Sequence, residues 1–288
     1  MKRDPEGDRL GILGAGVMGT GIAAMALGCG VSVVLVDIAE AILADARASI
    51  NRQLRHAQLM GAFPACRAVG TLSTTVSIAA VAGATAVIEA VTEDAAVKAK
   101  VLSALSSIVA AGTPLISNTS SIPIEELARS VERPEELIGA HFMNPTYLVK
   151  MTELIRGPQT GDATVQAVVS LLDGWERRAI VVRDAPGFVT SRLLHPMIND
   201  AARIVGAGTA TVETVDKLME GCLGHPTGPL RTADLIGLDN LADSLRVLSE
   251  RTGNDAYWPC ELLLTKVAAG NLGRKSGRGF YDYGEVLS

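Results

Sequence analysis

The sequence predicts an α/β fold, a doubly wound sheet followed by an all-α C-terminal domain. Three observations predict it. Short apolar runs rich in valine, isoleucine and leucine alternate with alanine-rich amphipathic segments along the N-terminal part of the chain. A glycine turn, Gly14-Ala15-Gly16-Val17-Met18-Gly19, joins the first apolar run to the first helical segment. After Asp184-Ala185-Pro186-Gly187-Phe188 the strand pattern stops and helical periodicity takes over.

Taken in order, residues 10–13, 33–36, 86–90 and 114–117 read as buried parallel strands, because each is a short, nearly unbroken apolar run. Residues 137–141 form a further candidate strand ending on His141, and 151–155 and 179–182 are the last candidates. Residues 39–70 are longer than one crossover helix needs. They predict a projecting helical pair, broken near Gly61-Ala62-Phe63-Pro64 and carrying Arg47, Arg52, Arg55, His56 and Arg67. Helical stretches follow at 191–206, 212–222 and 236–251. The expected division is a nucleotide-binding domain over 1–186 and a helical substrate and dimerisation domain over 187–288.

Composition narrows the function. The 288 residues are 48% hydrophobic and 20% charged, enough for one or two cored, ordered domains. The net charge of −5 argues against a nucleic-acid binder. Cys29, Cys66, Cys222 and Cys260 include no CxxC pair, so neither a metal site nor a redox motif is expected, and scattered thiols fit a reducing compartment. The charged start, Met1 to Arg9, lacks the apolar core of a signal peptide. Apolar runs are broken well before membrane-spanning length. A cytoplasmic enzyme is the expectation, with no membrane partner.

The glycine turn carries the cofactor reading. Gly14 permits the tight turn, Gly16 lets backbone N–H groups of the Gly16-Val17-Met18 turn approach a pyrophosphate, and Gly19 lets the helix pack on the strand. The phosphates then sit at the helix N-terminus. Asp37 closes the second strand at the spacing of an acid that binds ribose hydroxyls. Its charge repels a 2′-phosphate, and Ile38 follows where an arginine would accommodate one, so NAD is expected over NADP.

His141 ends a strand of this Rossmann-type sheet, at the edge where ligands bind, and is followed by Phe142-Met143-Asn144-Pro145. It is the candidate general base. A histidine base needs a group that fixes its tautomer, and Glu153, an acid inside an apolar run, is the best placed. The polar loop Ser117-Asn118-Thr119-Ser120-Ser121 falls at the same edge and offers hydroxyls to a nicotinamide ribose or a substrate oxygen; a serine there also suits a helix cap. Glu93 and Lys98 read either as a polar contact at the cofactor or as an incidental pair on a helix face.

These motifs together resemble the 3-hydroxyacyl-CoA dehydrogenase family, almost end to end. The resemblance rests on the glycine turn and Asp37, on Ile88-Glu89-Ala90-Val91-Thr92-Glu93, on the Ser117 to Ser121 and His141 to Pro145 stretches, and on Glu153. It extends through Asp184 to Phe188, Gly224-His225-Pro226-Thr227-Gly228-Pro229 and Gly273-Arg274-Lys275-Ser276-Gly277-Arg278-Gly279-Phe280-Tyr281. It implies a Rossmann domain, a dimerising helical domain, and oxidation of a 3-hydroxyacyl thioester with NAD. It makes His141 the base and Glu153 its partner, and puts Ser121 and Asn144 near substrate and nicotinamide. It also makes Glu93, Lys98 and Lys275 cofactor contacts. Two departures stand out. Ser191 replaces the family's asparagine, and residues 57–64 lack the family's lysine-rich stretch. The second leaves Arg52, Arg55, His56 or Arg67 to meet a coenzyme A phosphate. It also keeps open an acyl-carrier-protein substrate, as in polyketide extender-unit assembly, since carrier proteins are acidic. A free hydroxy acid would favour a lysine base, and a non-catalytic NAD-binding protein would not need the His141–Glu153 pair.

Overall fold

A computed structural model of the protein describes residues 7–63 and 68–284. The chain divides into two compact units, Met1–Ala185 and Pro186–Ser288.

The first unit is built on one eight-stranded sheet. Its strands are β1 (Arg9–Leu13), β2 (Ser32–Val36), β3 (Leu72–Thr75), β4 (Ala86–Glu89), β5 (Leu115–Ser117), β6 (Leu137–His141), β7 (Met151–Arg156) and β8 (Arg178–Arg183). Their order is β3-β2-β1-β4-β5-β6-β7-β8. The strands from β3 to β6 run parallel, β7 is antiparallel to β6, and β8 is parallel to β7. The chain fills one side of β1 with β2 and β3 and then crosses to β4, which creates a switch point between β1 and β4. Strands β4 and β6 are buried along their whole length, as parallel strands covered on both faces must be.

Helix α1 (Val17–Gly28) is buried from Gly19 to Gly28, which its alanine and glycine content allows by keeping the backbone close to the sheet. Helix α2 (Glu40–Leu59) sets Leu43, Ala46 and Ile50 into the same core. The helical pair expected over 39–70 is corrected here. Among the described residues there is one helix over this span, α2, with Met60 as its C-cap. Its apolar stripe packs into the core instead of leaving the fold, and Phe63 packs against that core too. Arg67 lies outside the described residues. Helices α3 (Ala95–Ile108), α4 (Ile124–Ala128) and α5 (Asp162–Gly174) complete the unit.

The second unit is helical: α6 (Thr190–Gly206), α7 (Val212–Leu223), α8 (Pro229–Ile236), α9 (Leu238–Thr252) and α10 (Glu261–Ala268). Their apolar faces share one core around Ile198, Leu230, Leu238, Leu241 and Leu245. Two buried carboxylates fasten the chain that follows α10 onto these helices. Asp234 accepts from the Phe280 and Tyr281 backbone N–H groups at 2.8 and 2.9 Å and from the Tyr283 hydroxyl at 3.0 Å. Asp216 accepts from the Leu230 and Arg231 N–H groups and from the Tyr281 hydroxyl. Burial, reinforced by the Asp216 hydrogen bond, pushes the Tyr281 phenol above its usual range. Asp234→Ala leaves the buried Phe280 N–H and the partly buried Tyr281 N–H without acceptors. It is expected to cost about 2–4 kcal/mol in denaturant unfolding, whereas a loss under ~0.5 kcal/mol would contradict the clasp.

Candidate active site

The turn after β1 shows which glycines the protein itself requires. Gly14 has φ +98°, and a Cβ there would collide with the Ala90 carbonyl. A Cβ on Gly19 would collide with the Gly14 carbonyl, so the helix and turn touch backbone to backbone. Gly16 differs: it is extended, and a Cβ would meet nothing within 4 Å. Nothing in the protein forbids a side chain there, and the open space lies at the N-terminus of α1, beside exposed Val17 and partly exposed Met18. That is the constraint a bound pyrophosphate imposes. Gly16→Val is therefore expected to fold with the Tm of the parent and to weaken NAD binding roughly 100-fold or more. Titration calorimetry with parallel melts checks this, and unchanged affinity would contradict it.

Asp37 directly follows β2. Its Oδ2 accepts the Ala15 N–H at 2.6 Å and its Oδ1 the Ile38 N–H at 2.7 Å. Each carboxylate oxygen has a second lone pair, so the residue fits the two hydroxyls of a ribose. It also ties the acid to the glycine turn.

Across the switch point, the ends of β4, β5 and β6 carry the polar cluster. His141 is the last residue of β6 and stands directly opposite Glu153 of β7 in the antiparallel register. Cross-strand partners share a face. His141 Nδ1 accordingly lies 3.2 Å from Glu153 Oε2, and both side chains are buried. The loop leading away from β6 is pinned where the Phe142 N–H donates to Asn118 Oδ1 at 3.2 Å, while Asn118 N–H donates to the Glu89 carbonyl. Asn144 lies further along this loop and is exposed. At its far side, Tyr147 bonds through its hydroxyl to His56 Nδ1 of α2 at 2.9 Å, and its carbonyl accepts from the buried Arg177 guanidinium.

Glu93 organises the loop after β5. Its Oε1 accepts from the Thr119 hydroxyl at 2.6 Å, the Ser120 N–H at 2.7 Å, the Ser121 N–H at 3.1 Å and the Ser121 hydroxyl at 3.2 Å. Burial raises the Glu93 carboxyl, but Lys98 and the Thr119 and Ser120 hydrogen bonds outweigh it and hold the group below its ordinary 4.5. Ser121 is buried and belongs to this web. The hydroxyl that takes N–H groups at the start of the following turn is that of Thr119, not Ser121.

The resemblance makes Lys98 a cofactor contact, and its side chain is fully buried. Its ammonium donates to Glu89 Oε1 at 2.7 Å and the Val91 carbonyl at 3.3 Å, and lies 3.2 Å from Glu93 Oε2. Glu89, with no exposed surface, is the residue that sequence reasoning missed: it was hidden at the end of an apolar run.

In the helical unit, Ser191 is buried in the first turn of α6, and Lys275 pairs with Asp239 at 2.6 Å.

A glycine turn at the head of α1, an acid after β2 and a histidine–carboxylate pair at the strand ends define the class: a dinucleotide-dependent dehydrogenase. Residues 9–185 match the NAD binding domain of 3-hydroxyacyl-CoA dehydrogenase, and residues 187–283 match its C-terminal domain. The chain belongs to the 3-hydroxyacyl-CoA dehydrogenase family and uses NAD. It is 39% identical over 280 residues to a probable 3-hydroxybutyryl-CoA dehydrogenase of Bacillus subtilis (strain 168), covering 96% of this chain and 98% of the relative. Among solved structures, it matches (S)-3-hydroxybutyryl-CoA dehydrogenase from Ralstonia eutropha with a TM-score of 0.85 and 38% identity, covering 96% of this chain and 99% of that one. FadB2 of M. tuberculosis matches with a TM-score of 0.90 and 36% identity, covering 98% and 100%. Among the described residues, no helix is long and apolar enough to cross a membrane.

Proposed function

We propose that this enzyme oxidises a short-chain 3-hydroxyacyl thioester to the 3-oxoacyl thioester, reversibly, with His141 as general base. The observation that carries the reading is the register pairing of His141 with Glu153 at the ligand edge of the sheet, with Nδ1 and Oε2 at 3.2 Å. Glu153 holds the proton on Nδ1, which makes Nε2 the basic nitrogen. Nε2 takes the proton of the substrate hydroxyl, and Glu153 stabilises the resulting imidazolium. Ser121, fixed by Glu93, and Asn144 orient the substrate oxygens. NAD, held by the glycine turn and Asp37, would supply the hydride acceptor for the carbinol carbon. In the reverse direction the imidazolium returns its proton to the forming alkoxide.

Coenzyme A is the carrier named for the relatives, and it is the carrier proposed here. One observation favours a second reading: α2 presents Arg52 and Arg55 to solvent and contains no lysine, a face suited to an acidic carrier protein. One hydroxyacyl group, presented as both its coenzyme A and its carrier-protein thioester, separates the two. A kcat/KM at least ~10-fold higher on coenzyme A supports the first reading, and the reverse preference supports the second. Exposed Leu193, Leu218 and Leu223 on the helices of the second unit support a homodimer, and the thiols of Cys29, Cys222 and Cys260 fit a cytoplasmic location.

A further inference from the structure

Glu89 and Lys98, both fully buried, and the partly exposed Glu93 form a group of three charges at the carboxyl ends of β4 and β5, and Glu89 has no part in the proposed chemistry. Every partner of the two Glu89 side-chain oxygens is a donor: Lys98 at 2.7 Å and the Val91 N–H at 2.9 Å on Oε1, and the Ser117 hydroxyl at 2.6 Å on Oε2. Lys98 pairs its ammonium with the Glu89 carboxylate at 2.7 Å, and that carboxylate accepts from all three. Glu93 is likewise surrounded by donors. Two carboxylates therefore share one ammonium, and one negative charge is left over.

The position of that charge matters. The glycine turn and Asp37 take the ADP half of the dinucleotide beside β1 and β2, so its other half must cross the switch point onto β4 and β5. The nicotinamide ring is cationic when oxidised and neutral when reduced. A fixed negative charge behind the ring stabilises only the first.

We propose that Glu89 is a charge-setting residue of the cofactor site: with Glu93 and Lys98 it fixes one net negative charge that strengthens the binding of NAD relative to NADH. The proposal rests on the reading of the chain as an NAD-dependent dehydrogenase. Glu89→Gln isolates the charge. The amide oxygen in the Oε1 position keeps Lys98 and the Val91 N–H, and the amide nitrogen in the Oε2 position donates to Ser117, whose hydroxyl turns to accept.

The test is the pair of dissociation constants for NAD and NADH, measured by titration calorimetry and cofactor fluorescence without substrate. Glu89→Gln is expected to move the ratio Kd(NAD)/Kd(NADH) upward by roughly 5–30-fold, the effect of one unit charge within about a nanometre at an effective dielectric of roughly 20–40. Ser117→Ala, which removes a hydrogen bond and keeps the charge, is expected to leave the ratio unchanged. An unchanged ratio in Glu89→Gln, equal weakening of both forms, or a shift in Ser117→Ala would overturn the proposal. Where Glu89→Gln does not fold, Glu93→Gln removes the same unit of charge and is read the same way. Failure of the parent protein to bind either form would instead overturn the dehydrogenase reading.

Discussion

Replacing His141 by glutamine or alanine is expected to lower kcat for thioester oxidation by roughly 10²–10⁴-fold. That is a rise of about 3–5 kcal/mol in the barrier. NAD affinity is expected to stay near that of the parent, because the glycine turn and Asp37 lie on the other side of the switch point. Alanine leaves the Glu153 carboxylate buried without its cross-strand partner, which costs stability as well as activity. Glutamine fills the same space and offers an amide donor, so it separates the loss of a base from the loss of a fold. The measurement is steady-state NADH formation, with melting temperatures recorded for both variants. Turnover within ~3-fold of the parent in a folded variant would remove His141 from the base role.

Glu153→Gln is the second large effect. The amide oxygen still accepts from Nδ1–H, so the ring keeps its place, but the negative charge that favours the imidazolium is gone. Where an uncharged amide replaces the carboxylate behind a histidine base, the loss reaches roughly 10⁴ in kcat, and a value of about 10²–10⁴ is expected here. Both directions of the reaction should suffer together, because each passes through the same protonated histidine. KM for the thioester should change little, since Glu153 is buried behind His141. A variant that raised KM and spared kcat would show that Glu153 supports binding instead.

Both effects follow from a register that the sequence announces only in part. His141 is legible as the polar end of an apolar strand, and Glu153 as an acid stranded in another. Their spacing of 12 residues does not say that the strands turn antiparallel and set the two face to face; only the pairing of Gly139 with Ile155 and Ala140 with Leu154 does that. The parallel strands were legible for the same physical reason, that burial on both faces demands continuous apolar runs. Strand β3 was not: Leu72-Ser73-Thr74-Thr75 sits at the sheet edge, partly exposed and mostly polar, and has no such run to show. The expected helical pair over 39–70 failed because one long helix with an apolar stripe looks the same whether it projects or packs. Short helices α8 and α10 hold only eight residues each, little more than two turns of periodicity.

The site divides along the same line. Residues whose function depends on local backbone, such as Gly14, Gly19 and Asp37, declare themselves in sequence. Residues that act through long-range partners do not. Glu93 is separated by 26 residues from the Thr119 hydroxyl it holds, and Tyr147 by 91 residues from His56.

One assay tests this chemistry most directly: NADH formation from 3-hydroxybutyryl-CoA and NAD by the enzyme, run beside His141→Gln under the same conditions. The predicted result is turnover that requires NAD and falls by roughly 10²–10⁴-fold in the variant. A parent enzyme that binds NAD but leaves the thioester unoxidised, or a folded variant that oxidises it as fast as the parent, would contradict it.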